Sequence, residues 1–379
     1  MVPKEVHEDF GRSMKWIVLA LCLLFHVSPM DGQRLAESEK NTLLSLYEST
    51  GGSSWANQTG WSSPNSDPCT WFGVTCNGIP SIASLHLNGN NLTGQLPPSL
   101  VNLTAMTLLD LRFNALQGQI PTFSNTSQLS QLILWGNNFT DGLSNLCVLS
   151  QVQIITLRSN SFSGSIPDCL CGLTSLLSLD ISTNFLTGNL PLCLGALSGL
   201  IKLDLSTNML MGEIPSSFSG LTNVETLNLG SNTFVGSVPV ALTSLTSLST
   251  LSLSSNSLTG TLPSFENSTS LEYFVVASNS LSFVLGQAPP AVGTCDLSGN
   301  LNFYCGEIPE WVLSTCGGVC VDKTSPYILV GVIFVYSAIF LVILFFSDPI
   351  ERFFARFGSS QVDFVRGLFG RRKSNKRRQ

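Results

Sequence analysis

The sequence predicts an α/β solenoid, in which short strands stack in parallel into a concave sheet closed by caps and carried on one transmembrane helix. Three observations predict it. A pattern of Leu, Asn, Gly and Pro recurs between residues 81 and 300, with its Asn positions 21 to 24 residues apart. Only 11% of residues are charged, about half the usual share, which argues against disorder for most of the chain. Residues 327–346 form an apolar run without one charge. A chain of 379 residues is long for a single core, but a repeat array grows freely because each unit packs only on its neighbours.

The repeat is readable as chemistry. Ile82, Leu85, Leu87, Asn90 and Leu92 are followed by Gly94 and Pro97. Leu200, Leu203, Leu205, Asn208 and Leu210 are followed by Gly212 and Pro215, and Leu248, Leu251, Leu253, Asn256 and Leu258 by Gly260 and Pro263. Leu-x-Leu is a short strand with alternate side chains buried. One repeat cannot bury that row alone, but a stack can. The Asn satisfies backbone groups in the turn that leaves the strand. Gly permits a bend that a Cβ hinders, and Pro stops further ladder pairing. These positions are therefore scaffold, and the period belongs to the leucine-rich repeats.

Two apolar segments set the topology. Residues 16–27 follow Arg12 and Lys15 and are too short to span a bilayer, which takes ~20 residues. A basic start before a short apolar run reads as a signal peptide, assigned to 1–32 with cleavage between Ser28 and Gln33; a retained signal anchor is the alternative. Residues 327–346 reach ~30 Å as a helix, the hydrocarbon thickness. After Ser347 there are nine Lys or Arg against three Asp or Glu, so the tail carries +6 and the remainder −12 of the net −6. The positive-inside rule places that end in the cytoplasm. The expectation is a single-pass type I protein of the plasma membrane. A secretory-pathway membrane is the alternative if the final Lys-Arg-Arg-Gln acts as a retrieval signal. The tail, 347–379, is read as a stop-transfer anchor or as a segment lying on an anionic leaflet.

The remaining divisions are an N-terminal cap at 33–80, about ten repeats at 81–303, and a Cys-rich C-terminal cap with juxtamembrane residues at 304–326. Eleven cysteines are present, of which Cys22 falls in the leader. Cys69 and Cys76, with Cys295, Cys305, Cys316 and Cys320, flank the repeats and are the disulfide candidates. Cys147, Cys169, Cys171 and Cys193 lie inside the array. They are either disulfide-bonded or free, buried, small hydrophobes.

The form L-x-x-L-x-L-x-x-N-x-L-x-G-x-[IL]-P resembles the plant-specific subclass of leucine-rich repeats. Ahead of it, Pro68-Cys69-Thr70-Trp71-Phe72-Gly73-Val74-Thr75-Cys76 resembles the C-x-W-x-G-V-x-C end of the N-terminal cap in plant receptor-like proteins and receptor kinases. Residues 37–49 read as that cap's first helix, with Leu43, Leu44 and Tyr47 at helical spacing. Similar repeats also occur on protist surface antigens. The resemblance implies a horseshoe or superhelix with a parallel concave sheet and disulfide-bonded caps. No kinase motif follows the membrane segment, so it is closest in kind to a receptor-like protein, which signals through a partner kinase or co-receptor.

Binding is expected on the concave face, along a sheet of ten strands ~43 Å long at ~4.8 Å per strand. In repeats five to eight its outward positions are small and polar: Ser182, Thr183, Ser206, Thr207, Ser231, Ser252, Ser254 and Ser255. The second to fourth repeats instead offer Asp110, Arg112 and Phe113, then Ile133 and Trp135, then Arg158. Trp and Arg are enriched at binding hot spots. Arg112, Trp135 and Arg158 each stand two residues before a repeat Asn, so they are expected to stack in one column. An exposed aromatic among solvated arginines, with a cation–π contact, is the plainer reading. Asp180 and Asp204 fall between the strand leucines and read as strand consensus, since two carboxylates are not a coordination shell.

Sequons fall at Asn57, Asn91, Asn102, Asn125, Asn138 and Asn267, none on an outward strand position. His86 is the sole histidine outside the leader region, which leaves no His triad or His metal cluster, and no phosphate-binding or kinase motif is present. The expectation is a non-enzymatic, membrane-embedded receptor-like protein without cofactor, metal or nucleic-acid partner. Its ligand is an extracellular peptide, glycan or protein. A non-signalling surface coat or adhesion protein is the alternative.

Overall fold

The structure, a computed structural model, describes residues 35, 37–63, 65–78, 81–123, 128–283 and 292–300. The residues expected to form the signal peptide (1–32), the C-terminal cap (304–326), the membrane segment (327–346) and the tail (347–379) lie outside those described. Among the described residues no helix is long and apolar enough to cross a membrane.

The array starts from a cap. Helix α1, Glu37–Ser49, buries Glu39, Thr42, Leu43 and Leu46. The expected face was Leu43, Leu44 and Tyr47, but Leu44 and Tyr47 are only half-buried. Tyr47 turns instead toward Trp55 and Trp61, and Trp61 in turn meets Trp71, a run of ring contacts with centroids 4.8 to 6.2 Å apart. Strand β1, Val74–Cys76, then pairs antiparallel with β2, Ile82–His86, and covers the otherwise open edge of the sheet. The disulfide Cys69–Cys76 closes this cap.

From β2 onward every strand of the concave sheet is parallel. The order continues through β3 (Leu108–Asp110), β4 (Gln131–Ile133), β5 (Ile154–Thr156), β6 (Ser178–Asp180), β7 (Lys202–Asp204), β8 (Thr226–Asn228), β9 (Thr250–Ser252), β10 (Tyr273–Val275) and β11 (Thr294–Asp296). Register is constant. Leu109 pairs Leu132, Leu132 pairs Ile155, and Leu179 pairs Leu203, so identical positions stack into columns. The inward column from Leu87 through Leu111, Leu134, Leu157, Ile181, Leu205, Leu229 and Leu253 to Val276 is fully buried.

The repeat asparagines form a buried ladder. The Asn208 side chain donates to Ile181 O and Leu205 O, both at 3.1 Å, and accepts from Leu186 N–H at 3.0 Å. Asn184 and Asn232 repeat the set one turn on either side. Each Asn thus ties two repeats together and satisfies backbone groups that the turn hides from water.

After each repeat Asn from Asn90 to Asn279 the chain forms a second short strand on the side of the solenoid. Ser163–Ser165, Phe185–Asn189, Met209–Glu213 and Thr233–Val235 pair into a four-stranded parallel sheet. Gly212 shows why the motif holds Gly there. Its φ is +79°, and a Cβ would meet Asn189 Oδ1 at 2.6 Å. On the convex side Pro opens short 3₁₀ helices such as Pro98–Asn102.

The cysteines inside the array are bonded. Cys147 joins Cys169 and Cys171 joins Cys193, each 22 residues apart, with Cα atoms 5.5 and 5.7 Å apart. That separation is one repeat, so each bridge staples a convex segment to the one stacked on it. Cys295 is disulfide-bonded as well, whereas Cys305, Cys316 and Cys320 lie outside the described residues.

Candidate functional site

The concave columns bring Arg112, Phe113, Trp135 and Arg158 together. Beyond the strand ends the ladder continues, with Phe113 N–H donating to Trp135 O and Gly136 N–H to Arg158 O, both at 3.0 Å. Arg112, Trp135 and Arg158 therefore occupy successive steps of one column. The Arg158 guanidinium lies 4.2 Å from the Trp135 ring centroid and that of Arg112 lies 5.9 Å away. Phe113 meets the Trp135 ring edge-on at 3.9 Å. It is 58% exposed and has a φ of +57°, a conformation that is uncommon for a bulky residue. Gly136 gives the ring its room, because a Cβ there would stand 3.2 Å from Phe113 Cδ1.

The structure separates the remaining members of the expected set. Ile133 is half-buried beside Asp110 in the strand register. Asp110 is only 5% exposed, and its carboxylate accepts from the Arg112 backbone N–H at 3.2 Å and faces Arg112 Nε at 3.4 Å. It therefore orients Arg112 and leaves little of its own surface exposed. Arg158 is exposed, and no salt bridge among the described residues involves it.

The same local device explains Asp180 and Asp204. Asp180 accepts from Ser182 N–H and Oγ and from Lys202 Nζ, the last at 2.7 Å. Asp204 accepts from Ser206 N–H and Oγ and from Asn228 Nδ2. Each satisfies a backbone N–H at the strand end, and no group of acids among the described residues has the form of a metal site.

Family models agree with this architecture. A leucine rich repeat N-terminal domain matches residues 36–77, and leucine rich repeat models match 81–103, 151–173 and 198–258. The chain therefore carries leucine rich repeats behind a leucine rich repeat N-terminal domain, and its relatives are plant receptor-like kinases. It is 34% identical over 118 residues to a probable inactive receptor kinase of Arabidopsis thaliana, covering 31% of this chain and 17% of that protein. It is 32% identical over 163 residues to the receptor-like protein kinase BRI1-like 3 of the same plant, covering 40% and 12%. The chain thus spans less than a fifth of either relative.

Among solved structures, this leucine-rich-repeat solenoid is similar to PEPR1–AtPEP1, at 29% identity and TM-score 0.61, covering 70% of this chain and 39% of that one. It is similar to the plant peptide hormone receptor RGFR1 in complex with RGF2, at 28% identity and TM-score 0.53, covering 56% and 35%. A plant ice-binding protein matches at 27% identity and TM-score 0.64, covering 73% and 90%.

The described sequons lie off the concave strands of this array. Asn102, Asn138 and Asn267 are exposed. Asn91 is committed differently, because its Nδ2 donates to Ser54 O at 2.8 Å in the cap. Asn57 accepts Thr59 N–H at its Oδ1, and Asn125 lies outside the described residues.

Proposed function

We propose that this chain is a cell-surface, single-pass type I receptor-like protein that binds an extracellular peptide or protein on its concave face. The observation that carries the reading is the Phe113–Trp135 pair set between Arg112 and Arg158. An aromatic platform carrying an exposed guanidinium is rich in hot-spot chemistry, while the neighbouring repeats are lined with small hydroxyl side chains. Arg112, Phe113, Ile133, Trp135 and Arg158 form the contact set, and Asp110 positions Arg112. The similarity to solved peptide-hormone receptors supports a peptide ligand. The similarity to receptor kinases supports an accompanying kinase or co-receptor, through which the chain signals.

The test is mild cross-linking and recovery of the full-length protein from its native membrane. The comparison is a variant with Arg112, Trp135 and Arg158 changed to Ala. Recovery of a stoichiometric ligand or membrane kinase, lost in the variant, is the expected result. Equal recovery from both forms would remove the contact set.

A second reading, a non-signalling surface protein, is favoured by one feature. Ser159, Thr183, Thr207, Ser231, Ser255 and Ser278 form a continuous column of exposed hydroxyl residues, all at φ of +54° to +55°. With the similarity to an ice-binding protein, this column suggests a surface for ordered water. Inhibition of ice recrystallisation by the purified chain, with no partner recovered, would favour that reading.

A further inference from the structure

The side sheet carries an apolar cluster remote in sequence from the concave contact set. Phe185, Met209, Met211 and Val235 are 54%, 45%, 48% and 44% exposed. They come from three neighbouring strands of that sheet, in which Thr187 pairs Met209 and Met211 pairs Thr233. Phe185 and Met209 hold the same place in successive repeats, as do Met211 and Val235. Side chains alternate along a strand, so Met209 and Met211 share the outer face while Leu210 between them is fully buried. Contiguous exposed apolar groups of this kind mark interaction surfaces.

The group is bare and has a sign. None of the described sequons lies on these three strands. Its charge is Glu213, exposed on the same strand as Met211, with a side chain that reaches over Gly236 beside Val235. No salt bridge among the described residues involves Glu213.

We propose that this side-sheet patch docks a partner protein that presents apolar side chains flanked by a Lys or Arg. Charge selects this occupant. Outside its basic tail the chain carries −12, so a second copy brings Glu213 and a like field toward its equivalent, and an anionic leaflet is repelled. A basic flank pairs Glu213 and is drawn in by the same field. Methionine adapts to a partner's contours, which suits two of the four apolar residues.

The test places a photo-reactive benzophenone side chain at Thr187, inside the patch, or at Ser163, on the same sheet outside it, in the full-length protein in its native membrane. The expected result is one protein adduct from Thr187 and none from Ser163, mapped to an apolar segment with an adjacent basic residue. Glu213→Lys is expected to lower its yield about tenfold, with an unchanged melting temperature to exclude misfolding. An adduct of twice the chain's mass, a lipid adduct alone, indifference to Glu213→Lys, or no adduct overturns the proposal. The concave Arg112, Trp135 and Arg158 triple variant is run alongside. Retention of the Thr187 adduct there is expected, so failure of the concave reading and failure of this one are read separately.

Discussion

The guanidinium of Arg158 lies 4.2 Å from the ring centroid of Trp135, one strand away in the same column. This contact fixes an exposed cation on an aromatic face without an acidic partner among the described residues. A cation–π contact at an exposed site contributes about 0.5–1 kcal/mol, enough to hold the side chain in place and too little to make it essential to folding.

Arg158→Ala is therefore expected to leave the melting temperature within about 2 °C of the parent, since surface substitutions usually stay within ±0.5 kcal/mol. Recovery of the cross-linked ligand is expected to fall about tenfold or more, the effect of losing about 1.4 kcal/mol. Arg158→Lys keeps the charge but loses the planar fork, and is expected to lie between the two. Ligand recovery measured beside thermal unfolding checks both halves, and a large loss of stability would recast Arg158 as structural.

The asparagine ladder behaves in the opposite way. Asn208→Ala strips partners from Leu186 N–H, Ile181 O and Leu205 O. Each buried group left unpaired costs about 1–3 kcal/mol, so a loss of about 3 kcal/mol or more is expected in urea unfolding. A change below 1 kcal/mol would mean that water enters the turn and replaces the amide.

The convex staples are also measurable. Non-reducing digestion and mass spectrometry are expected to yield Cys147–Cys169 and Cys171–Cys193 peptides. Changing Cys147 and Cys169 together to Ser opens a loop of 22 residues, for which chain entropy predicts a loss of about 3 kcal/mol. Any other connectivity in the digest would contradict the stacking of these repeats.

Glu39 links the cap to pH. Its burial raises its pKa, outweighing the Ile82 N–H that it accepts and that lowers it. The folded chain thus holds the proton more tightly than the unfolded one. The favourable contribution is complete below the ordinary glutamate range and is lost as pH rises through the raised value. Cap stability is expected to increase on acidification through that window. Glu39→Gln keeps an acceptor for Ile82 N–H and is expected to flatten the dependence. Melting curves across pH for both forms decide it, and parallel curves would place the titration elsewhere.

Several features were legible because each repeat solves the same local problem with the same residues. Leu205, Asn208, Gly212 and Pro215 announce a buried strand, a turn, a left-handed bend and a break wherever they recur. Constant spacing by itself places Arg112, Trp135 and Arg158 in one column. Helix α1 was legible in extent, from Glu37 to Ser49, but not in its buried face. The Trp cluster beside Tyr47 draws that side chain aside.

Sequence alone determined the solenoid, its scaffold residues and the aromatic–cationic column, because these follow from short-range periodicity. Tertiary structure decided what depends on contacts between turns. Cys147 and Cys169 are partners because stacking sets them one above the other. Asp110 is withdrawn from the surface because its carboxylate satisfies the strand-end N–H of Arg112. Phe185, Met209, Met211 and Val235 form one patch because their segments pair into a second sheet, which turns Leu186 and Leu210 inward and leaves the residues on either side facing solvent.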